Sequence, residues 1–435
     1  MLLLTPRMIV SRLALTLSLL MVYLPGQAAL EITITGGGTG ALPIAVVPFA
    51  SLPDESYDIA AIVESDLNRS GLFKPLARQD MLETPSSPEQ IDWRNWRALG
   101  VEHLVIGQLR RADTGGMVVR FQLMDVFRAR QVLGYDLPVN DPRNLRSIGH
   151  QVADFIYEKL TGIPGVFNTQ VAYVTAKGPI SDRSYEMVMA DADGHAPRTV
   201  VRSREPLMSP AWSPDGRYLA YVAFEDGRSA IYVHELATGL ARRVVREKGI
   251  NGAPAWSPDG RKLAVTMSFE KNPDIYVVDV ESGRRTQITD HWGIDTEPAW
   301  SPDGRRLVFT SDRGGQPQIY VTDVDGGNTK RLTFSGRQNL RASFSPNGDQ
   351  LALVNLDDAG YRIAQLDLDT QELRVLSEGP LDESPSYAPN GAVIIYSTSS
   401  GDGAELATVT TDGRVRQRLR QPGEVREPAW SPRTR

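Results

Sequence analysis

The chain has 435 residues, of which 41% are hydrophobic and 23% charged, with 47 basic against 53 acidic side chains and no cysteine. That length exceeds one ordinary domain, and the composition is that of a soluble globular protein rather than a disordered or fibrous one. The lack of cysteine excludes a disulfide-stapled fold and a lipid-modified lipoprotein, and the net charge of −6 offers nothing to nucleic acid or an acidic membrane surface.

Residues 1–28 read as a secretory signal. Arg7 and Arg12 give the positive start, Leu13 to Leu24 is apolar apart from Thr16 and Ser18, and Gly26-Gln-Ala28 supplies small residues for cleavage. Twelve residues are too few to span a bilayer comfortably, so cleavage rather than a membrane anchor is expected. Without residues 1–28 the chain keeps 45 basic and 53 acidic residues, a net of −8. The segment Glu31, Ile32, Thr33, Ile34 and Thr35 alternates polar and apolar side chains ahead of a glycine-rich tether, Gly36-Gly-Gly-Thr-Gly40. It fits either an edge strand packed on the domain that follows or a strand, within 30–40, that leaves to add to a partner's sheet.

Residues 29–165 are expected to form an α/β domain. Ile44-Ala-Val-Val47 reads as a buried strand, and 54–68 as a helix with Ile59, Ile62, Val63 and Leu67 on one face, stopped by Gly71. Strands follow at His103–Leu109, Met117–Asp125 and Gln131–Leu137. Asp141 and Pro142 then open a helix that turns Leu145, Ile148, Val152, Phe155, Ile156 and Leu160 inward. Thr161-Gly-Ile-Pro-Gly165 breaks it and joins the second domain.

From 166 to 435 a motif recurs: Pro210-Ala-Trp-Ser-Pro-Asp-Gly-Arg217, with copies at Pro254, Pro298, Ala342, Pro385 and Pro428. Its aromatic residue falls at Trp212, Trp256, Trp300, Phe344, Tyr387 and Trp430, spacings of 44, 44, 44, 43 and 43 residues, the period of a β-propeller blade. Ser-Pro-Asp-Gly is hairpin-turn chemistry, and apolar runs such as Leu263-Ala-Val-Thr266 and Leu307-Val-Phe-Thr310 follow at fixed offset as buried second strands. Val171-Ala-Tyr-Val174 looks like a second strand without a first, whereas Pro428 to Pro432 is a first strand with no blade behind it. The expected fold class is therefore an N-terminal α/β domain followed by a six-bladed β-propeller closed by the C-terminal strand.

Catalytic chemistry finds no support. The five histidines are scattered and lack metal-ligand spacing, there is no Gly-x-Ser-x-Gly elbow, and Gly36-Gly-Gly38 lacks the Lys-Ser/Thr of a phosphate loop. Neither enzyme nor cofactor is expected. Binding is better served, because residues just before each repeat motif ring the mouth of the central channel: Ser209, Ala253, Glu297, Arg341, Ser384 and Glu427, preceded by Met208, Gly252, Thr296, Leu340, Glu383 and Arg426. That amphipathic mixture suits a protein-docking surface. Other readings of the ring are strand-entry geometry alone, a divalent cation held by Glu297, Glu383 and Glu427 with Arg341 and Arg426 as partial neutralisers, and a sugar stacked on the tryptophans rather than those rings serving as core between blades. No metal is assigned.

The signal, the Ile32-Thr-Ile34 and Ala45-Val-Val-Pro-Phe49 strands, the junction Gly162-Ile-Pro-Gly-Val-Phe167 and the Pro-Ala-Trp-Ser-Pro-Asp-Gly array together resemble the TolB family, across essentially the whole mature chain. The resemblance implies a monomeric, non-enzymatic periplasmic adaptor of the Tol-Pal system of Gram-negative bacteria. It further implies binding of the lipoprotein Pal at the propeller mouth, with Asn251-Gly-Ala-Pro254 and Asp295-Thr-Glu-Pro298 best matching the family's motif, and of TolA at the mature N-terminus, in support of outer-membrane integrity and constriction at division. The alternative is a periplasmic carbohydrate-active or peptidase-related propeller protein.

Overall fold

Each Ser-Pro-Asp-Gly segment closes a hairpin by a fixed set of hydrogen bonds. In the computed structural model Ser213 Oγ accepts from Tyr218 N at 2.9 Å and donates to Asp215 Oδ1 at 2.6 Å, while Gly216 takes the left-handed conformation, φ 70°, that the turn demands. Ser257 and Ser301 repeat the arrangement. The structure describes residues 30–34, 40–52, 57–112, 115–179, 182–268, 272–400, 403–419 and 421–433, with backbone alone at 30–34 and 400. The signal segment, Thr35, Gly36–Gly38 and the expected helix start at 54–56 lie outside these residues.

Inner strands Leu207–Trp212, Asn251–Trp256, Asp295–Trp300, Gln338–Phe344 and Asp382–Tyr387 each begin a four-stranded antiparallel sheet that runs outward in chain order. We number these blades 2 to 6. Blade 1 takes its inner strand from the C-terminus: Glu424–Trp430 pairs antiparallel with Gln170–Lys177, followed outward by Ser184–Asp191 and Arg198–Ser203. The ring of six blades is thus closed by strands from its two ends, as the phase of the repeat requires. Facing blades interdigitate apolar side chains; Val222, Ile231 and Val233 of blade 2 pack with Leu263, Val265 and Met267 of blade 3.

The preceding domain is a five-stranded sheet. Strand β1 (Leu30–Ile34) is not part of it; β2 (Leu42–Val46) lies between β3 (Phe73–Pro75) and β4 (His103–Arg111), parallel to both, and β5 (Met117–Asp125) and β6 (Arg130–Val139) continue antiparallel. Helix α1 (Ile59–Arg69) and the long helix α3 (Leu145–Thr161) cover one face, burying Val63, Leu67, Val152 and Ile156 against Ile44, Val105 and Phe121. The short helix α2 (Trp93–Ala98) buries Trp96 on the other face. Asp58 caps α1 by accepting from Ala61 N at 3.0 Å, and Asp141 opens a single 3₁₀ turn that leads into α3.

This domain sits on the propeller face away from the mouth. Asn390 Nδ2 donates to Pro164 O at 2.9 Å, Gln417 Nε2 donates to Arg69 O, and Arg146 bonds Asp191 and Asp193 of blade 1. The expectation that residues 31–35 could pack as an edge strand on the α/β domain needs correction. Strand β1 pairs antiparallel with Val415–Leu419, the outer strand of blade 6, in the register Leu30↔Leu419 to Ile34↔Val415, making that blade five-stranded. The reason is physical: an outer blade strand presents a full row of unpaired amide and carbonyl groups that an alternating segment can satisfy.

Candidate partner-docking site at the propeller mouth

All six inner strands slip register near their start, between Met208 and Ala211, Gly252 and Ala255, Thr296 and Ala299, Leu340 and Ser343, Glu383 and Ser386, and Arg426 and Ala429. In each slip sits one non-glycine residue with positive φ: Ser209 52°, Ala253 48°, Glu297 55°, Arg341 52°, Ser384 59° and Glu427 52°. The bulge explains the proline that follows five of them, because a residue without an N–H is tolerated in a strand only where the ladder is interrupted. It also sets these six residues around a central cavity of about 760 Å³ to which all six blades contribute.

Of the residues named from sequence, Met208, Ser209, Gly252, Ala253, Thr296, Glu297, Arg341, Ser384 and Glu427 line this cavity. Leu340, Glu383 and Arg426 do not. Leu340 packs into the core between blades 5 and 6, Glu383 is exposed beside the cavity, and Arg426, 59% exposed, turns to Glu424 at 3.6 Å. Of the two arginines expected to neutralise the mouth carboxylates, Arg341 alone does so. Its guanidinium crosses the channel from blade 5 to Glu427 of blade 1 at 2.9 Å, and Glu427 also accepts from Ser209 N at 2.6 Å. Burial opposes both charges, yet Glu427, Glu297 and Glu383 raise the arginine above its ordinary pKa, and Arg341 with the Ser209 amide holds Glu427 below its own.

Threonines of the second strands tie the ring together, and sequence reasoning did not single them out. Thr266 Oγ1 of blade 3 accepts from Glu297 N at 3.3 Å, and Thr310 Oγ1 of blade 4 accepts from Arg341 N and donates to Glu297 Oε2, both at 2.9 Å. Their recurrence at the same offset in two repeats was the available signal. Met208, named from sequence, joins Phe224 and Ile250 to make one wall of the cavity apolar. Two aromatic side chains escaped notice: Trp292, 75% exposed, and Phe334, 72% exposed, stand in the loops entering blades 4 and 5.

The repeat tryptophans are committed elsewhere. Indole N–H groups of Trp212, Trp256 and Trp300 donate to Ala429, Ala211 and Ala255 carbonyls of the neighbouring inner strand at 3.0, 3.1 and 3.1 Å, and Trp430 donates to Thr169 Oγ1 at 2.8 Å. The first three staple neighbouring blades and Trp430 fastens blade 1 to its own entry at Thr169, so none is offered as a sugar platform. Among the described residues one group of metal-ligating side chains converges, Asp66, His150 and Asp193 at the domain junction. Arg69 and Arg146 already occupy its two carboxylates, so it is an ion-pair network. No helix among the described residues is long and apolar enough to cross a membrane.

The fold and its mouth define a class of two-domain propeller proteins in which a small α/β domain precedes the ring. Residues 30–132 match the TolB amino-terminal domain and residues 157–434 the TolB beta propeller domain. The chain belongs to the TolB family. It is 60% identical to the Tol-Pal system protein TolB of Nitrosococcus oceani, over 93% of this chain and 94% of that one, and 59% identical to that of Thioalkalivibrio sulfidiphilus, over 96% and 97%. The crystal structure of TolB from Acinetobacter baumannii, 42% identical, superposes with a TM-score of 0.85 over 94% of this chain and 100% of that one.

Proposed function

We propose that this chain is a non-enzymatic periplasmic adaptor of the Tol-Pal system, which binds the lipoprotein Pal at the propeller mouth and TolA through residues 31–35, in support of outer-membrane integrity and constriction at division. The observation that carries the first half is the mouth itself. Six backbone bulges hold a mixed polar and apolar cavity open on the face that the α/β domain leaves free, with exposed aromatic side chains beside it. A recessed centre with exposed aromatic side chains on one side of it is the anatomy of a protein-docking surface. The carbohydrate-active alternative loses its stacking rings to the blade staples.

The second half draws on β1. Here the strand is docked, so engagement of TolA requires its release from blade 6. Its host strand Val415–Leu419 leads, through the connection 420–423, directly into the inner strand that carries Glu427. Gln421 in that connection accepts from Tyr173 Oη at 3.2 Å and donates to Gly194 O at 2.9 Å. A partner that shifts Glu427 therefore acts one short connection away from the host strand, which is the physical basis for occupancy of the mouth to shift β1 between docked and free populations.

Calorimetric titration with the soluble domain of the cognate Pal tests the reading. Saturable one-to-one binding is expected, lost in Ala253→Trp, with the thermal midpoint of the variant within a few degrees of the parent. Persistence of binding in a folded Ala253→Trp protein removes the mouth assignment, and absence of binding by the parent removes the adaptor function.

A further inference from the structure

The junction between the α/β domain and the propeller contains a buried cluster of charge. Helix α1 supplies Asp66 and Arg69, helix α3 supplies Arg146 and His150, and blade 1 supplies Asp191 and Asp193. His150 is 2% exposed, and its Nδ1 lies 2.6 Å from Oδ2 of Asp66, which is 1% exposed. Arg69 Nε donates to the other oxygen of Asp66 at 2.9 Å. Across the junction Arg146 donates to Asp191 at 3.0 Å and to Asp193. Polar atoms of Asp66, His150 and Asp193 all lie within 4.8 Å of one another, so the imidazole lies close to a carboxylate of each domain. Its Nε2 is buried and has no hydrogen-bond partner among the described residues.

Three carboxylates here face two guanidiniums. A neutral imidazole leaves one buried negative charge uncompensated and a buried ring nitrogen unpaired, and both are costly. An imidazolium supplies the third positive charge and makes both ring nitrogens donors, Nδ1 to Asp66 and Nε2 free to take up an acceptor. A divalent cation fits less well, since it would overcompensate the charge and displace guanidiniums already in place.

We propose that His150 is a proton-operated clamp between the two domains: as imidazolium it bridges Asp66 of α1 and Asp193 of blade 1, and loss of its proton loosens the junction and with it the docking of β1 on blade 6. The link to β1 is direct. Arg69 O accepts from Gln417 Nε2, and Gln417 is paired with Ile32 of β1. At Gly71, just beyond α1, a Cβ would overlap Val415, the residue paired with Ile34. The end of α1 that Asp66 anchors thus rests on the strand that holds β1. The proposal does not depend on which proteins bind either site.

Other charged groups face the cluster. Tyr57 lies beside Arg146, and Asp193 feels Arg69 as well as Arg146 and His150. Asp154, one turn along α3, accepts from Phe167 N and Asn168 N at 2.7 and 3.2 Å; it feels Asp66 and Arg433, and burial pushes it up to about 6. It is the rival source of any pH effect in this range. The test is amide hydrogen exchange of the purified protein, corrected for intrinsic rates, over residues 30–34 and 415–419 at pH 5.5 and 8.5, with the ring resonances of His150 followed by NMR. Protection in the parent and in Asp154→Asn is expected to fall on the order of tenfold as pH rises. His150→Gln and Asp193→Asn are expected to show low protection at both values; the second variant serves if the first does not fold. The proposal is overturned by equal pH dependence in the parent and both variants, by an effect that disappears with Asp154 instead, or by His150 resonances that do not move between pH 5 and 9.

Discussion

Ala253 and its five counterparts hold a backbone conformation that costs an L-residue roughly 1–2 kcal/mol, and they do so at the one place where all blades meet. Strain of this kind collects at functional sites because the surrounding fold has to enforce it. At Ser209, Glu297 and Arg341 hydrogen bonds from the bulged amides to glutamate and threonine side chains help enforce it. Asp154 is a different residue-scale liability. Burial lifts its carboxyl from 3.8 to about 6, against the pull of the two backbone amides it accepts from. Between those values the folded chain holds a proton that the unfolded chain has lost, so this residue's contribution to stability falls as pH rises from about 4 to 6, by roughly 3 kcal/mol. Asp154→Asn is expected to remove that slope, so the variant gains on the parent as pH rises. Denaturant unfolding at pH 4.5 and 7 reads the difference, and parallel profiles would show that burial is not the cause.

The staples between blades belong to the scale of elements. Trp256→Phe keeps a ring of similar position but removes the indole hydrogen bond to Ala211 O of the neighbouring inner strand, at about 1 kcal/mol. A thermal midpoint unchanged by this substitution would show that ring packing alone holds the blades together. Blades 5 and 6 already do without an indole, since Phe344 has no donor and Tyr387 accepts from Gln365 Nε2 at 3.0 Å. Elements of this array are legible in sequence because a 44-residue period repeats turn chemistry that has only one use. Strand β1 is legible as a strand but not in its location: Leu30 to Ile34 alternates equally well for any open edge, and only the end of α1 against Gln417 and Val415 brings the right edge within reach. Helix α2 and strand β3 are too short to establish a period. At the mouth, position before the proline identified Ala253 and Glu297, but Ser, Ala, Glu and Arg share no chemistry that announces a left-handed backbone. Residues one step earlier split, Met208, Gly252 and Thr296 lining the cavity and Leu340, Glu383 and Arg426 not, a division their sequence position does not announce.

At the scale of the whole molecule the ring depends on its last strand. Glu424–Trp430 pairs with Gln170–Lys177, supplies Ala429 O to Trp212 and places Glu427 opposite Arg341. Deleting residues 424–435 strips all three, leaving an open edge on blade 1 and an unpartnered Arg341 at the mouth. The truncated protein is expected to lose its cooperative thermal transition and to elute as aggregate in size-exclusion chromatography; a monomer melting like the parent would mean that closure contributes little. The bulged ring has one more consequence. The backbone conformation there is set by blade geometry, and the conformational penalty is much the same for any side chain that is neither glycine nor β-branched. Serine, alanine, glutamate and arginine already occupy it. Evolution, or a protein engineer, can therefore rewrite the chemistry displayed at the centre of the disc one position at a time, most freely at Ala253 and Ser384, whose side chains make none of the ring's cross-strand bonds described above, and less so at Glu427 and Glu297, which hold a neighbouring amide or hydroxyl.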